Sequence, residues 1–539
     1  MPDILLIQPP IRDFYLTAKR TIPYGLACIA SALSASGFSV EILDAFATSK
    51  SRRRELPPEM DYLRQYYGQP DRSPFALFYQ YKHFGYSFDY IGRKAKESGA
   101  LLIGISSLFT PYAQEAVQTA EAVKAYHPDC KIVMGGHHPT AMPHAVMESA
   151  VVDFVVRGEG EVSMPLLARA LLERGQFDTI PGLVFRREDG SLHINSPAQM
   201  RHPDNYPLPA AALINRRFYR RANGGSMVIV AGRGCPMNCT YCSVGAHSPL
   251  AYRQRSVASV MREIEDAVDQ YEVGFIDFED ENLSFNRGWF LRLLKAIESR
   301  FADRLELRAM NGLYPPSLDA EVIRAMKSAG FKTLNLSVGS TSREQLLRFK
   351  RRDVRDSFNR ALDLAEYYRL NAVGYIICGA PFQSAQDSIA DLLYLARRRV
   401  LAGASIFYPS PGSQDYVLCA SLKLLPKEFS CMRSSALPLS HTTTRKEAVT
   451  LLRLARIINF MKSLLDKGIP LPKASAAKIR LNVAADRIEI GMQLLGKFFA
   501  DGKIRGVAPE GHVFEHAICE SLSHKFLQGL AAIDMRGSR

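Results

Sequence analysis

Three cysteines, Cys235, Cys239 and Cys242, lie in one short run, Arg233-Gly234-Cys235-Pro236-Met237-Asn238-Cys239-Thr240-Tyr241-Cys242. This CxxxCxxC spacing places three soft thiolates on a single loop, and thiolates suit both iron–sulfur clusters and zinc. Three of them hold three irons of a four-iron cluster and leave the fourth iron open to another ligand. A structural zinc site closes with four ligands. No fourth Cys or His follows at finger spacing, and His247 is the nearest candidate. The pattern favours the cluster over zinc.

A second group of candidates is rich in glycine. Gly135-Gly136-His137-His138-Pro139-Thr140 precedes Asp153-Phe154-Val155-Val156-Arg157-Gly158-Glu159-Gly160-Glu161. The two histidines could ligate a metal, although a His-His-Pro turn beside paired glycines reads better as shape and hydrogen bonding. Gly158-Glu159-Gly160-Glu161 has half of a dinucleotide fingerprint. It lacks the third glycine, and its acids would repel a pyrophosphate. There is no Gly-x-Ser-x-Gly elbow and no Walker A loop, so serine hydrolysis and P-loop chemistry find no support.

The elements that must position these groups come in three stretches. With 539 residues and ~150 residues per domain, three units are expected. From residue 3 to about 165, strand-like runs (Ile4–Ile7, Val40–Leu43, Leu101–Ile105, Lys131–Met134, Phe154–Val156) alternate with helical patterns around Tyr24–Ala35, Ala113–Tyr126 and Pro143–Glu148. That alternation predicts a Rossmann-like, doubly wound parallel sheet over residues 1–200. Residues 50–98 interrupt it, as an irregular insertion packed on the sheet or as a lid over the substrate. A proline-punctuated linker spans 201–224. Six further strand-like runs (Met227–Ala231, Gly274–Phe278, Leu305–Ala309, Thr333–Ser337, Ala372–Cys378, Ala404–Tyr408) alternate with helices and predict a partial (β/α)6 barrel over 225–412. Barrels carry their functional groups at the carboxyl ends of the strands, and the cysteine run follows the first strand. Residues 413–539 read as a mainly helical domain, with helices around Lys446–Lys467, Ala485–Phe499 and His512–Leu530.

Composition bounds the rest. Hydrophobic residues at 47% with 23% charged residues describe a globular α/β protein and exclude disorder. Nine cysteines, six of them solitary, do not form a secreted disulfide framework. The opening Met1-Pro2-Asp3 has no basic n-region or cleavage site, and no run approaches a membrane span, so the cytoplasm is the default location. The net charge is +14, and from residue 421 onward 19 Lys+Arg face 10 Asp+Glu. A solvated helical face explains this excess, with an anionic substrate or peripheral membrane contact as the alternative. No helix-turn-helix or finger setting accompanies it, which argues against nucleic acid as principal partner.

Taken together, the cysteine motif with Tyr241 before its third cysteine, at the end of a first barrel strand, resembles the radical SAM superfamily. Ile22-Pro23-Tyr24-Gly25-Leu26 and the two glycine-rich turns resemble the cobalamin-binding domain fused to the methyltransferase-like members of that superfamily. The resemblance implies a [4Fe–4S] cluster on Cys235, Cys239 and Cys242. It implies S-adenosylmethionine contacts from Tyr241, Arg253, Glu279, Asp280, Glu281, Asn282, Ser337 and Ser340. Cobalamin would be cradled by Pro23, Tyr24, Gly25, Leu26, Ser106, Ser107, Gly135, Gly136, His137, His138, Pro139, Thr140, Arg157, Gly158, Glu159 and Gly160. Tyr252-Arg253-Gln254-Arg255-Ser256 would open a helix, and Gly379-Ala380-Pro381 and Pro409-Ser410-Pro411-Gly412 match in character after the fifth and sixth strands. Gly339-Ser340-Thr341-Ser342 lacks the carboxylate that relatives carry there. No histidine has Asp two residues before it, and Phe46 of Asp44-Ala45-Phe46 falls where an axial histidine would, so no histidine is expected on cobalt. The implied activity is methyl transfer from methylcobalamin to an unactivated carbon after hydrogen abstraction by the 5′-deoxyadenosyl radical. Non-methylating cyclisation or rearrangement, or a cobalamin sensor or carrier, are the alternatives. A small-molecule, lipid-like or peptide substrate and a flavodoxin- or ferredoxin-type electron donor complete the expectation.

Overall fold

Every residue from Ile4 to Ile7 is at most 3% exposed, so the opening strand must be covered on both faces, as strands of parallel sheets are. The computed structural model describes all residues except 16–20, 222–223, 246–250, 478 and 480–483. Strand β1 (Ile4–Gln8) pairs in parallel with β2 (Val40–Asp44) and β3 (Leu102–Ser106). β4 (Lys131–Gly135) and β5 (Phe154–Val156) extend the parallel sheet, and β6 (Leu183–Arg186) with β7 (Leu192–Ile194) close one edge as an antiparallel pair. Helices α1 (Tyr24–Ala35), α2 (Phe88–Ser98), α3 (Ala113–Tyr126) and α4 (Gly160–Glu173) cover it. Ile4 and Leu6 share a core with Leu26, Leu33 and Leu167 of α1 and α4, while Leu5 and Ile7 share one with Ile91, Ala116 and Val123 of α2 and α3. The order β2-β1-β3-β4-β5 reverses direction between β1 and β3. Ligands of such sheets bind beyond the carboxyl ends of the strands at that switch point.

The region between β2 and β3 departs from expectation. Ser51–Arg54 and Tyr81–Phe84 form a small antiparallel sheet with Ile11–Asp13. Between them Met60, Leu63, Tyr67, Phe75 and Leu77 enter the core shared by the barrel and the C-terminal helices. Arg453 also donates to the carbonyls of Tyr66 and Phe75, at 3.1 Å each. The segment therefore packs beneath the C-terminal domain, not on the sheet. Residues 88–98 are no insertion but the sheet's own α2, capped by Ser87 and ended by left-handed Gly99. Phe88 and Tyr90 had merged it with the aromatic run before it.

Six parallel strands build the barrel in two halves. β8 (Gly224–Ile229), β9 (Val273–Phe278) and β10 (Glu306–Ala309) form one; β11 (Thr333–Gly339), β12 (Asn371–Cys378) and β13 (Leu401–Ile406) form the other. Parallel bridges Leu307–Phe331 and Leu313–Leu336 join them into one arc. The outer helices include α5 (Val257–Tyr271), α6 (Arg287–Phe301), α7 (Ala320–Ala329), α8 (Arg343–Arg348), α9 (Arg355–Tyr367) and α10 (Ala385–Ala396). β13 starts and ends earlier than its apolar run suggests, which leaves Tyr408 outside the strand and 43% exposed. Arg253–Gln254 do not open α5; they make a two-residue antiparallel bridge with Gly232–Arg233, and Ser256 caps the helix.

Past the barrel come α11 (Gln414–Ser421), α12 (Arg445–Leu465), α13 (Arg487–Asp501) and α14 (Glu520–Ala531). The helix expected over 512–530 is helical only from Glu520. Val513–Glu515, with its β-branched and aromatic residues, pairs instead with Arg505–Val507. The basic excess of this domain is in part internal, which corrects the reading of a solvated face. Lys462 is fully buried and donates to the carbonyls of Ala396, Arg398 and Arg536. Arg433 is buried against Asp13, 3.1 Å away, and donates to the carbonyls of Arg12, Pro111 and Ser430. Among the described residues no helix is long and apolar enough to cross a membrane.

Arg433 thus ties the C-terminal domain to the small antiparallel sheet of the N-terminal region by a buried ion pair. Removing one partner strands the other charge, at a cost of about 3–5 kcal/mol. Arg433→Ala is expected to lower the thermal midpoint markedly, and the double variant Asp13→Asn/Arg433→Met to recover part of the loss. Calorimetry of the three proteins checks this.

Candidate functional site

The cysteine loop leaves the barrel after β8 and is fixed by the loop that follows β9. Asp280 is 3% exposed and accepts from the backbone N–H groups of Ala231 (3.0 Å) and Gly232 (2.6 Å). Burial pushes its carboxyl up to about 7, against the pull of those two donors. Gly234 then turns at φ 78°, a left-handed conformation that favours glycine, and its N–H points to Glu281. From the other side, Thr240 donates through N–H and Oγ1 to the carbonyls of Phe349 (3.1 Å) and Arg348 (3.2 Å), while its carbonyl accepts from the Asp415 N–H (2.9 Å). Ser243 meets Ser410 of the loop after β13, 3.3 Å apart. Three barrel loops therefore hold one cysteine-bearing segment.

Cys235, Cys239 and Cys242 are all free thiols on this segment, with Cys239 buried and the other two half-buried. Burial raises the Cys235 thiol and pushes Cys242 up to about 11, and the neighbouring thiols add to both effects. Left to themselves Cys235 and Cys242 favour the protonated form; a bound metal centre would deprotonate its thiol ligands. Among the described residues no three His, Cys, Asp or Glu side chains gather as for a single ion. A cluster that gives each thiolate its own iron does not require them to. His247 lies outside the described residues. Beside Cys235, Asn282 donates from Nδ2 to the sulfur at 3.8 Å, leaving its buried Oδ1 without a partner. The buried Glu281 Oε2 and Tyr252 hydroxyl are also unpartnered, and burial raises the Glu281 carboxyl. Orphaned buried oxygens next to the thiols fit a cationic amino-acid headgroup.

Other expected S-adenosylmethionine contacts are already engaged within the protein. Arg253 pairs with Glu159 at 2.6 Å and donates to the Met200 carbonyl. Ser340 donates to Asp391 of α10 (2.9 Å), which also takes the N–H and hydroxyl of Thr341. This carboxylate holds the loop that lacks one of its own. Ser337 accepts from Arg351 through its carbonyl and hydroxyl. Glu279 lends its backbone, with its carbonyl accepting from Asn311 at 2.9 Å.

The turns of the first sheet divide in the same way. Gly136 and Gly158 do not clear room for a ligand: a Cβ there would come within 2.5 Å of the Ser107 oxygen and 2.3 Å of the Ala198 oxygen. Thr140 accepts from the Gly158 N–H and its carbonyl from Arg157, which knits the two turns together. His138 is buried against Phe429 and Thr110, and burial pushes it down to about 4. Pro23 and Leu26 are buried at the start of α1, and the Tyr24 hydroxyl reaches Glu263 of α5 at 3.5 Å. His137 is different. It is exposed at the surface, and its pKa is lowered, first by desolvation and then by the nearby Arg233. With Leu108 and Phe109 after β3, 38% and 48% exposed, it faces outward at the switch point. Gly25 has open space where a side chain would be.

The two halves meet through one ionic network that the sequence did not reveal. Arg233, immediately before the cysteine loop, pairs with Glu161 (2.5 Å) and Glu159 (3.4 Å) after β5. The carboxyl ends of both parallel sheets thereby face each other. Residues 77–168 match the B12 binding domain, and residues 229–393 match the radical SAM superfamily. The chain thus joins a B12 binding domain to a radical SAM domain. Among its relatives is an uncharacterised methyltransferase of Pyrococcus horikoshii, 26% identical over 63% of this chain and 74% of that one. The cytidylyl-2-hydroxyethylphosphonate methyltransferase of Streptomyces wedmorensis is 24% identical over 80% of this chain and 84% of its own. The radical S-adenosylmethionine methyltransferase TsrM of Kitasatospora setae, solved with cobalamin and a [4Fe–4S] cluster, shares the fold at a TM-score of 0.60. It is 19% identical, with 78% of each chain covered.

If the site is built in this way, Asp280→Ala leaves two N–H groups without acceptors, at about 1–3 kcal/mol each, and loosens the cysteine loop. Iron and sulfide bound per chain after anaerobic reconstitution are expected to fall to less than half. Asp280→Asn, which keeps one acceptor and turns the other into a donor, is expected to retain an intermediate amount of iron.

Proposed function

We propose that this radical SAM protein is a cobalamin-dependent C-methyltransferase acting on a small molecule at an unactivated carbon. The observation that carries the reading is the face-to-face placement of the two sheets' carboxyl ends, with the cysteine loop on one side and the β1/β3 switch point on the other. A cofactor on each side then lies close to a substrate held between them. Cys235, Cys239 and Cys242 hold the [4Fe–4S] cluster, and Glu281 Oε2 with Asn282 Oδ1 receive the amino group of S-adenosylmethionine. Gly25, Leu108, Phe109 and His137 would line the cobalamin site.

When bound, these groups supply a carbon radical and a transferable methyl; the protein's part is placement and exclusion of water. Tyr408, just past β13, lies near Cys242 and Tyr15. Tyr252, Phe285 and Tyr314 form an aromatic chain along one wall, with centroids 5.8 and 6.1 Å apart. These walls favour an apolar substrate body. An external low-potential donor of flavodoxin or ferredoxin type supplies the electron.

Anaerobic reconstitution with cobalamin, S-adenosylmethionine and reductant tests the reading by mass spectrometry of candidate substrates. A product heavier by one CH₂, formed with S-adenosylhomocysteine and 5′-deoxyadenosine, is the expected outcome. 5′-Deoxyadenosine without S-adenosylhomocysteine would indicate cyclisation or rearrangement instead. Cys235→Ala is expected to abolish cleavage of S-adenosylmethionine, whereas a sensor would keep its function. We further propose that no histidine ligates cobalt. The cob(II)alamin EPR signal should show no histidine nitrogen splitting and should be the same in His137→Ala; a splitting lost in that variant refutes the proposal.

A further inference from the structure

Arg351 sits where a surface residue is expected, within the basic run Arg348-Phe349-Lys350-Arg351-Arg352, yet its side chain turns inward. Lys350 adopts φ 49°, a left-handed conformation unusual for a lysine. The N–H groups of Lys350 and Arg351 return to the carbonyls of Leu347 (3.1 Å) and Leu346 (2.9 Å), closing α8 in a Schellman turn. That turn aims Arg351 into the barrel mouth. Gly339 makes room for it, because a Cβ there would lie 3.1 Å from Arg351 Cδ.

The guanidinium is placed against the cluster ligands. Nη1 donates to the Tyr241 hydroxyl at 2.7 Å, and Nη2 donates to the Ser337 carbonyl at 2.8 Å. Cys239 is its other electrostatic neighbour, within reach of a hydrogen bond. Its Nε is buried without an acceptor, and among the described residues no carboxylate pairs with it. A buried cation without a counter-ion is costly, and the negative charge within reach is the thiolate that Cys239 becomes on binding iron.

We propose that Arg351 is a positioning residue whose guanidinium serves as counter-ion to the Cys239 corner of the cluster and raises the cluster's reduction potential. It rests on the cluster assignment made above. One electron from an external reductant converts the cluster from the 2+ to the 1+ state, adding one negative charge beside a fixed cation. Hydrogen bonds and charge near the sulfurs are among the factors that set such potentials.

The test is an EPR-monitored redox titration of reconstituted wild type, Arg351→Gln, Arg351→Lys and Tyr241→Phe, with dithionite as reductant and iron and sulfide assayed on each. Arg351→Gln is expected to lower the reduced-to-oxidised ratio at fixed potential by at least tenfold, a shift of ~59 mV for one electron. Arg351→Lys should restore most of it, and Tyr241→Phe should change it little. If Arg351→Gln fails to load iron while Arg351→Lys loads normally, the positive charge is needed at the cluster and the proposal stands. A fully loaded Arg351→Gln with the wild-type potential overturns it, as does failure of both variants to load. A wild type that assembles no [4Fe–4S] cluster would refute the cluster assignment itself.

Discussion

Arg233 fixes the geometry on which everything else depends. Its guanidinium lies between Glu159 and Glu161 and so binds the residue before the cysteine loop to the turn after β5. Arg253 adds a second pair to Glu159, and the Arg255–Glu263 pair carries the link on to Tyr24 of α1. These charges are largely removed from water, and buried pairs contribute less to stability than to holding one arrangement. Here that arrangement sets two parallel sheets with their carboxyl ends toward each other.

Both sheets present their chemistry at those ends for the same reason: side chains in the loops beyond the strands are free of the ladder and the helices. The barrel contributes thiols and orphaned oxygens, and the first sheet contributes exposed Leu108, Phe109 and His137. The C-terminal domain closes the assembly from outside through Arg433, Arg453 and Lys462, whose positive charges neutralise Asp13 or cap backbone carbonyls. A charge excess that suggested a binding surface is thus partly structural.

Much of this was legible in the sequence where the signal is local. The cysteine spacing marked the segment that the barrel loops hold in place, and the alternation of apolar runs located nearly every strand of both sheets. Helices α1 and α3 fall where their patterns placed them. What escaped depends on partners distant in the chain. Nothing local to Glu159 or Arg253 shows that they pair with each other. Gly136 and Gly158 carry the mark of close approach, but only the fold shows that they approach Ser107 and Ala198. Arg351 was hidden because a basic run reads as surface, and the turn that buries it hinges on the backbone of Lys350. Phe88–Ser98 was lost because aromatic residues at its start masked the helical period.

The central claim is that the cluster and cobalamin occupy facing sites within one chain. Magnetic interaction between the two paramagnets tests it most directly. With cob(II)alamin bound and the cluster reduced, the cobalt EPR signal should be split or broadened by the cluster spin, and Cys235→Ala should return it to the isolated form. A cobalt signal unaffected by a fully reduced cluster in the wild-type protein would contradict the claim.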